Sequence, residues 1–378
     1  MEKKYHFTKE NTLAIKGIAI IFLLFYHCFS RTSRFVGMDI KFRPLSQDTA
    51  VAICFQMQIC VGMFAFLSAY GLALSMKKRF KDYQFTAQEA VCYVAERYMK
   101  LFFLFLLPFL FCQIVTEILD VSRYGGGRLN KLVYMTLDAL GISNIFGSKM
   151  LVDTWWYLSL VVVITVFMPM CIQMYKRFGW LLIPMVMIVG SMFLERNVNL
   201  TKWLFTVPIA VCFADCHVLE RLKTWKIVRN QVWNKILKFV LLTAVLLVMC
   251  KVRVHPWGQQ HMEFALNGIV PVFFIWWCYE FVIELPIIKQ ILCFFGKHSA
   301  NIFYVHTLIR SLWLKEMTYS FRYAILIWGF LMAASLAVSL FLEAVRKWSG
   351  YNRLTAHIIS LVLEWLRRAG RDINEHRV

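Results

Sequence analysis

The chain has 378 residues, of which 60% are hydrophobic and 17% are charged. Soluble proteins contain roughly 45–50% apolar and about 25% charged residues, so this composition excludes an ordinary soluble fold. A formal net charge of +20 would suit a nucleic-acid-binding protein, but the Lys and Arg residues fall mostly between apolar segments. We therefore interpret the charge as a determinant of membrane topology, with membrane lipids as partners and no nucleic acid.

Apolar segments long enough to cross a bilayer recur along the chain and predict an all-α, polytopic membrane protein with about ten transmembrane helices. The predicted spans are 13–30, 51–76, 101–120, 154–174, 180–194, 203–219, 236–254, 264–283, 299–317 and 322–345. The connecting segments that carry most of the Lys and Arg all lie on one side of this arrangement. Both termini are therefore predicted to face the cytoplasm.

The segment after the last span predicts a short amphipathic helix along the inner leaflet, because Leu354, Ile358, Leu361 and Trp365 share one helical face. We divide the chain into a transmembrane domain, residues 1–348, and a cytoplasmic tail, residues 349–378. Most of the eleven cysteines lie within apolar segments, and none has a spacing suited to zinc. No metal site is predicted.

Ionisable side chains inside a bilayer are costly, so each one raises a functional question. Lys16 and His27 in the first span are eleven residues apart, which places them on one face of a helix about 16 Å apart along its axis. A simple interpretation is that Lys16 extends to the interface and His27 hydrogen-bonds a neighbouring helix. In the ninth span Ser299, His306 and Arg310 also share a face. Two histidines facing one cavity would supply a general base and a proton relay.

Arg97 and Lys100 precede the third span and are neighbours on a helical surface. They are either ordinary cytoplasmic flanking cations or, together with Lys16, ligands for the phosphates of an anionic cytoplasmic donor. Glu343 near the end of the last span is predicted to pair with Arg346 or Lys347 one turn away.

Five segments in order resemble those of membrane-bound acyltransferase family 3, whose members transfer acyl groups, often acetyl, to cell-surface glycans and other acceptors. They are Lys16 with His27 after ten intervening residues, VGMFAFLSAY from Val61 to Tyr70, Arg97-Tyr98-Met99-Lys100, Trp156-Tyr157-Leu158, and Gly296 with Ser299 and His306. Lys16 stands where the family more often has arginine, and Ala69 stands where it has glycine.

The resemblance implies a membrane O-acyltransferase that uses cytoplasmic acetyl-CoA or another acyl-CoA and no metal. The acceptor would be a hydroxyl of a cell-surface polysaccharide or glycolipid precursor, and the location a bacterial plasma membrane. The resemblance implies that Lys16, Arg97 and Lys100 bind the donor, and that His27 is the catalytic residue, as general base or acyl carrier. His306 or Ser68 would position groups or relay the proton, and Tyr70, Ser299 or Asn301 would stabilise the oxyanion. Trp156 and Arg310 would support the site. A secondary transporter of a glycan intermediate is the alternative. Homo-oligomerisation is left open.

Overall fold

The protein is all-α, and its computed structural model describes residues 6–193 and 199–375, without the side chains of 371–375. Leu194, which ends the fifth predicted span, and the last three residues of the predicted tail lie outside the described residues. Within that part of the chain no β-strand forms, and Lys41 and Tyr323 make a single isolated bridge. The α-helices are α1 (Lys9–Phe29), α2 (Gln47–Gln56), α3 (Ile59–Arg79), α4 (Ala87–Ile118), α5 (Arg128–Ala139), α6 (Trp156–Phe178), α7 (Leu182–Phe193), α8 (Thr206–Cys216), α9 (Val218–Thr224), α10 (Gln231–Val254), α11 (Pro256–His261), α12 (Glu263–Phe281), α13 (Pro286–Leu308), α14 (Lys315–Ser320), α15 (Ala324–Trp348) and α16 (Tyr351–Glu375).

Among the described residues, six helical segments are long and apolar enough to cross a membrane: Lys9–Phe29, Gln47–Arg79, Ala87–Ile118, Asp153–Phe193, Glu263–Phe281 and Ala324–Trp348. A seventh would be the broken pair α8 and α9, which is bent by 66° at His217, whose backbone is left-handed with φ 51°. The polytopic all-α fold is therefore confirmed, whereas the predicted number of ten spans is not. The separately predicted spans 154–174 and 180–194 belong to one continuous segment.

Two predicted spans begin too late, because the first part of each helix contains charged residues that interrupt its apolar pattern. The third predicted span starts at residue 101, but α4 begins at Ala87 behind a reciprocal cap in which Thr86 and Glu89 bind each other's backbone N–H. The ninth starts at residue 299, but α13 begins at Pro286, a residue suited to the first helical turn. Arg97 and Lys100 consequently lie within α4 and not before its first residue.

The chain forms two compact units, one of residues 1–76, 170–299 and 321–328 and one of 77–169, 300–320 and 329–378. In the first unit, α12 packs against α1, α7, α8 and α10. Small residues allow these close approaches: a Cβ at Gly268 would lie 2.4 Å from Phe205, and one at Gly62 would lie 2.4 Å from Pro271. The predicted division at residue 348 stays a prediction.

In the second unit, α16 packs along α4. Ile359 and Leu363 of α16 are buried against Cys92, and the Tyr351 hydroxyl donates to the Phe103 carbonyl at 2.7 Å. The predicted amphipathic helix is thus present. The face of α16 that packs on α4 is not the predicted apolar face, because Leu354, Leu361 and Trp365 of the predicted face are exposed.

Candidate functional site

His27 lies in the last turn of α1, where the carbonyl groups of the helix end are bound by an arginine. The Arg34 guanidinium donates to the carbonyl of His27 at 2.7 Å, to that of Tyr26 at 3.2 Å and to the Ser30 hydroxyl at 2.7 Å. These bonds satisfy acceptors that an α-helix leaves unpaired at its end. The imidazole is half-buried and lies edge-to-face with the Tyr26 ring at a centroid distance of 5.1 Å, so the backbone that carries His27 is fixed.

Lys16 lies on the same continuous helix as His27 and is half-buried. Its neighbour Gly17 is at a contact with α13, where an added Cβ would lie 2.0 Å from the Leu292 carbonyl oxygen. One helical turn along, a Cβ at Gly296 would lie 1.9 Å from the Leu13 carbonyl oxygen. Only glycine allows the two backbones to approach this closely, which explains the Gly296 of the predicted motif.

The two α3 residues of the predicted site occupy different environments. Ser68 is half-buried, whereas Tyr70 is only 2% exposed. The Tyr70 ring stacks on Phe66 at 5.7 Å and meets the edge of Phe7 at 5.6 Å. Tyr70 is therefore held in an aromatic cluster.

Arg97 and Lys100 lie in α4 beside an acidic residue. Lys100 is exposed and pairs with the Glu96 carboxylate at 2.5 Å, and the same carboxylate binds Arg79 at 2.6 Å. The Arg97 guanidinium lies over the Tyr93 ring at 5.1 Å. The Glu96 carboxylate therefore offsets part of the positive charge of this surface. Donor binding by Arg97 and Lys100 stays a prediction.

His306 on α13 is fully buried, and its surroundings determine its tautomer. Nδ1 lies 2.8 Å from the Phe303 carbonyl oxygen and 3.2 Å from that of Ile302. Both partners are acceptors only, so Nδ1 carries the proton. Nε2 lies 3.0 Å from the Thr307 hydroxyl, which is in turn 3.2 Å from the Thr154 hydroxyl. A neutral His306 would therefore accept a hydrogen bond from Thr307.

The predicted oxyanion donors Ser299 and Asn301 already donate to protein acceptors. The Ser299 hydroxyl donates to the Gly296 carbonyl at 2.8 Å, and the Asn301 amide donates to Glu343 at 2.9 Å. Glu343 also accepts from Arg346, so the predicted pairing of these two residues is confirmed.

The predicted supporting residues Trp156 and Arg310 differ in burial. Trp156 is half-buried, whereas its neighbour Trp155 is 2% exposed and donates to the Tyr304 carbonyl at 3.1 Å. Arg310 is buried in a short π-helix and donates to the Tyr319 hydroxyl at 3.4 Å. Trp155 is thus the anchoring tryptophan of the Trp-Trp pair.

The predicted site residues are distributed over both units. The first unit holds Lys16, His27, Ser68, Tyr70 and Ser299, and the second holds Arg97, Lys100, Trp156, Asn301, His306 and Arg310. Lys16 and His27 are brought onto one helix as expected. A cavity shared by His27 and His306 stays a prediction.

Comparison with known proteins decides the family. The family model of acyltransferase family 3, described as an acyltransferase domain, matches residues 14–344, which is well over half of the chain. The chain belongs to acyltransferase family 3. No curated protein and no solved structure matches it. This acyltransferase is an integral membrane protein, as its apolar helices and its family both indicate.

The acyltransferase contains a buried polar network that the sequence did not reveal. The Arg253 guanidinium donates to the Asn267 side-chain oxygen at 2.9 Å and to that of Gln58 at 3.0 Å. Gln58 in turn donates to the Tyr26 hydroxyl at 3.2 Å, next to His27. Arg253 lies near the end of the predicted span 236–254 and was not among the predicted site residues. The available signal was Asn267, an amide within a predicted span, whose side chain requires a polar partner.

Among the residues that the structure describes, no group of three or more His, Cys, Asp or Glu side chains is arranged to hold a metal ion. The expected absence of a metal stays a prediction for this acyltransferase.

Proposed function

We propose that this acyltransferase transfers an acyl group, in the first instance acetyl, from cytoplasmic acyl-CoA to a hydroxyl of a cell-surface polysaccharide or glycolipid precursor. The proposal includes a bacterial plasma membrane and cytoplasmic termini. The observation that carries it is that α1 of this family 3 chain presents a basic residue, Lys16, and a histidine, His27, on the same helical face. That pairing offers one group for an anionic donor and one for proton transfer.

His27 is the proposed general base. In this reaction the imidazole removes the proton of the acceptor hydroxyl as its oxygen attacks the thioester carbonyl carbon. The C–S bond then breaks, and the coenzyme A thiolate leaves and takes up the proton. The products are the acyl ester and free coenzyme A. In the variant mechanism, His27 itself carries the acyl group between the two substrates.

Lys16 is the proposed contact for the donor's phosphates. It lies about 16 Å from His27 along the helix axis, so the extended pantetheine arm of acyl-CoA would run along α1 between the two residues. Arg97 and Lys100 are proposed to add to donor binding, with Lys100 exchanging its Glu96 partner for a phosphate.

His306 and Ser68 are proposed as positioning or relay groups, since His306 has a fixed tautomer in which Nε2 points to Thr307. An oxyanion would need a hydrogen-bond donor from Tyr70, Ser299 or Asn301. Ser299 would have to release its present acceptor to serve, whereas the Asn301 NH2 has a second N–H besides the one that donates to Glu343. Trp156 and Arg310 are proposed as supporting residues.

A secondary transporter of a glycan intermediate would also use buried cations and histidines. The two functions differ in donor turnover, because a transporter moves its solute without consuming acyl-CoA. The family assignment favours the enzyme.

The test is acyl transfer by the full chain in lipid nanodiscs, with release of free coenzyme A from acetyl-CoA as the readout. His27→Ala should lower turnover at least ~100-fold, the scale of a lost general base, at normal abundance in the membrane. His357→Ala is the matched control, because His357 is an exposed histidine on α16 and its loss should leave turnover unchanged. Wild-type turnover in His27→Ala would remove His27 from the mechanism.

A further inference from the structure

The strongest unassigned feature of the first unit is the buried cation Arg253, near the end of α10. The residue is 5% exposed, and no carboxylate among the described residues lies within ion-pair distance of it. Its two bonded partners, Asn267 and Gln58, are neutral amides. The positive charge therefore has hydrogen bonds but no ion-pair partner in the described part of the chain, and Glu263, the carboxylate that acts on it from farther away, is itself paired with Lys202 at 2.5 Å.

An arginine cannot relieve this cost by losing a proton, because its guanidinium stays charged in proteins. A buried charge without a counter-charge destabilises the folded protein, even after relaxation. An anion from outside the chain would remove that cost. Arg253 therefore has the electrostatic character of a site that is completed by a ligand.

The hydrogen-bonding groups around Arg253 show where such a ligand would be held. Nε and Nη2 are taken by Asn267 and Gln58, whereas Nη1 is buried and has no hydrogen-bond partner among the described residues. Because the Asn267 oxygen accepts from Arg253, its orientation is fixed and its Nδ2 is a donor. That Nδ2 is also buried without a partner in the described part of the chain. Two unused donors, one on the guanidinium itself and one on a side chain bonded to it, suit an oxyanion.

The network also links this position to the proposed catalytic histidine. Arg253 binds Gln58, and Gln58 binds Tyr26, the neighbour of His27. An acceptor molecule held at Arg253 through an acidic group would thus lie on the His27 end of α1, about 16 Å from Lys16 along the helix. Donor and acceptor contacts would then occupy opposite ends of one helix.

We infer that Arg253 and Asn267 form an oxyanion-binding site for a carboxylate or phosphate group borne by the acceptor, so that the preferred acceptor is an acidic sugar. The substrate class rests on the proposed function, while binding of the oxyanion does not.

The test is ligand binding to the full chain in detergent, measured by isothermal titration calorimetry without acyl-CoA. The probes are methyl β-D-glucuronide and α-D-glucose 1-phosphate, with methyl β-D-glucoside as the neutral analogue. At least one acidic probe should bind more tightly than the glucoside. Arg253→Gln should weaken that binding by roughly ten- to a hundredfold, the value of a hydrogen bond to a charged group.

Two further variants keep the test decisive if Arg253→Gln does not fold. Asn267→Asp retains the oxygen that binds Arg253 and adds a counter-charge, so it should abolish binding of the acidic probe and leave the protein stable. Lys251→Gln is the control, because it removes an exposed cation two residues from Arg253 and should leave binding unchanged.

The possible outcomes separate the two claims. Undiminished binding in both Arg253→Gln and Asn267→Asp, or no binding of either acidic probe to the wild type, would overturn the site. Phosphatidylglycerol in mixed micelles is titrated as a fourth probe, and a response confined to it would assign Arg253 to a lipid headgroup and overturn the acceptor assignment. Arg253-dependent binding together with no acyl transfer would leave the site intact and contradict only the proposed function.

Discussion

The helix α10 carries one buried cation near each end, and the two ends satisfy that charge differently. Lys238 is 1% exposed and donates to the Glu280 carboxylate at 3.0 Å and to the Leu222 carbonyl at 3.2 Å. Among the described residues, Arg253 donates to two neutral side-chain oxygens and has no carboxylate within ion-pair distance. A buried ion pair needs its counter-charge to offset desolvation. The Lys238 end is therefore complete within the protein, whereas the Arg253 end is not.

A buried acid in the second unit shows why this difference matters. Asp138 is 2% exposed, and in the described part of the chain its donors are neutral groups, among them the Tyr124 hydroxyl at 2.5 Å and the Leu151 N–H at 2.7 Å. Burial raises the pKa of Asp138 to about 6, so this carboxyl can become neutral near physiological pH. Arg253 has no such option. Neutral partners are sufficient for a buried acid but not for a buried arginine.

The largest predicted effect comes from removing the carboxylate at the Lys238 end of α10, so that this buried cation, like Arg253, has only neutral side-chain oxygens beside it. Glu280→Gln keeps a side-chain oxygen near Lys238 but removes its principal counter-charge. We expect the full chain in detergent to lose about 3–5 kcal/mol of unfolding free energy, as when one partner of a buried pair is removed. Chemical denaturation of the purified protein measures this loss.

The matched control is Glu364→Gln, which breaks the pair with Arg368 on α16. Both of those side chains are more than half exposed, so the change should stay within ~0.5 kcal/mol. Equal effects of the two substitutions would show that the Lys238 end gains nothing from its carboxylate, and the contrast with Arg253 would disappear.

The second prediction concerns pH and the acid with neutral partners. Because the pKa of Asp138 is raised from 3.8 to about 6, the folded state holds the proton more tightly than the unfolded state. Stability from this group is complete below pH ~4 and falls as the pH rises through about 6, by up to ~3 kcal/mol.

Melting temperatures of the full chain between pH 4 and pH 7 test this dependence. Asp138→Asn keeps an acceptor for Tyr124 and should remove the slope. If the melting temperature depends on pH equally in the wild type and in Asp138→Asn, Asp138 does not titrate in this range. The explanation that this buried acid becomes neutral beside neutral partners would then be wrong.

The sequence predicted helices and local pairs well, because both depend on residues that are close in the chain. The face shared by Lys16 and His27 and the pairing of Glu343 with Arg346 follow from helical spacing alone. The starts of α4 and α13 were missed because apolar content marks a span, whereas caps and prolines begin a helix.

The Arg253 network could not be predicted from spacing. Gln58 is 195 residues from Arg253 in the sequence, so only the packing of separate helices joins them. The same limit applies to the candidate site, because whether His27 and His306 share a cavity depends on long-range packing that no motif encodes. The sequence therefore predicted candidate residues but not the arrangement around them.

The smallest predicted effect tests the acid sensitivity of the paired end of α10. Glu284 accepts from Lys223 at 2.6 Å and from Lys235 at 2.9 Å. Burial opposes its ionisation, but these lysines outweigh burial and lower the pKa of Glu284 below its ordinary 4.5. The stability that Glu284 contributes is therefore present above pH ~4.5 and is lost as the pH falls through the lowered pKa.

Since more than a third of the Glu284 side chain is solvent-accessible, screening keeps this contribution below ~1 kcal/mol. Glu284→Gln should flatten the melting temperature below pH ~4.5, the opposite side of the range from the Asp138 effect. Arg253→Gln should leave the melting temperature below pH ~4.5 unchanged, because no carboxylate forms an ion pair with Arg253 among the described residues. A change of the acid range in Arg253→Gln would show that a carboxylate stabilises that arginine as strongly as Glu284 stabilises its lysines, and it would remove the difference between the two ends of α10.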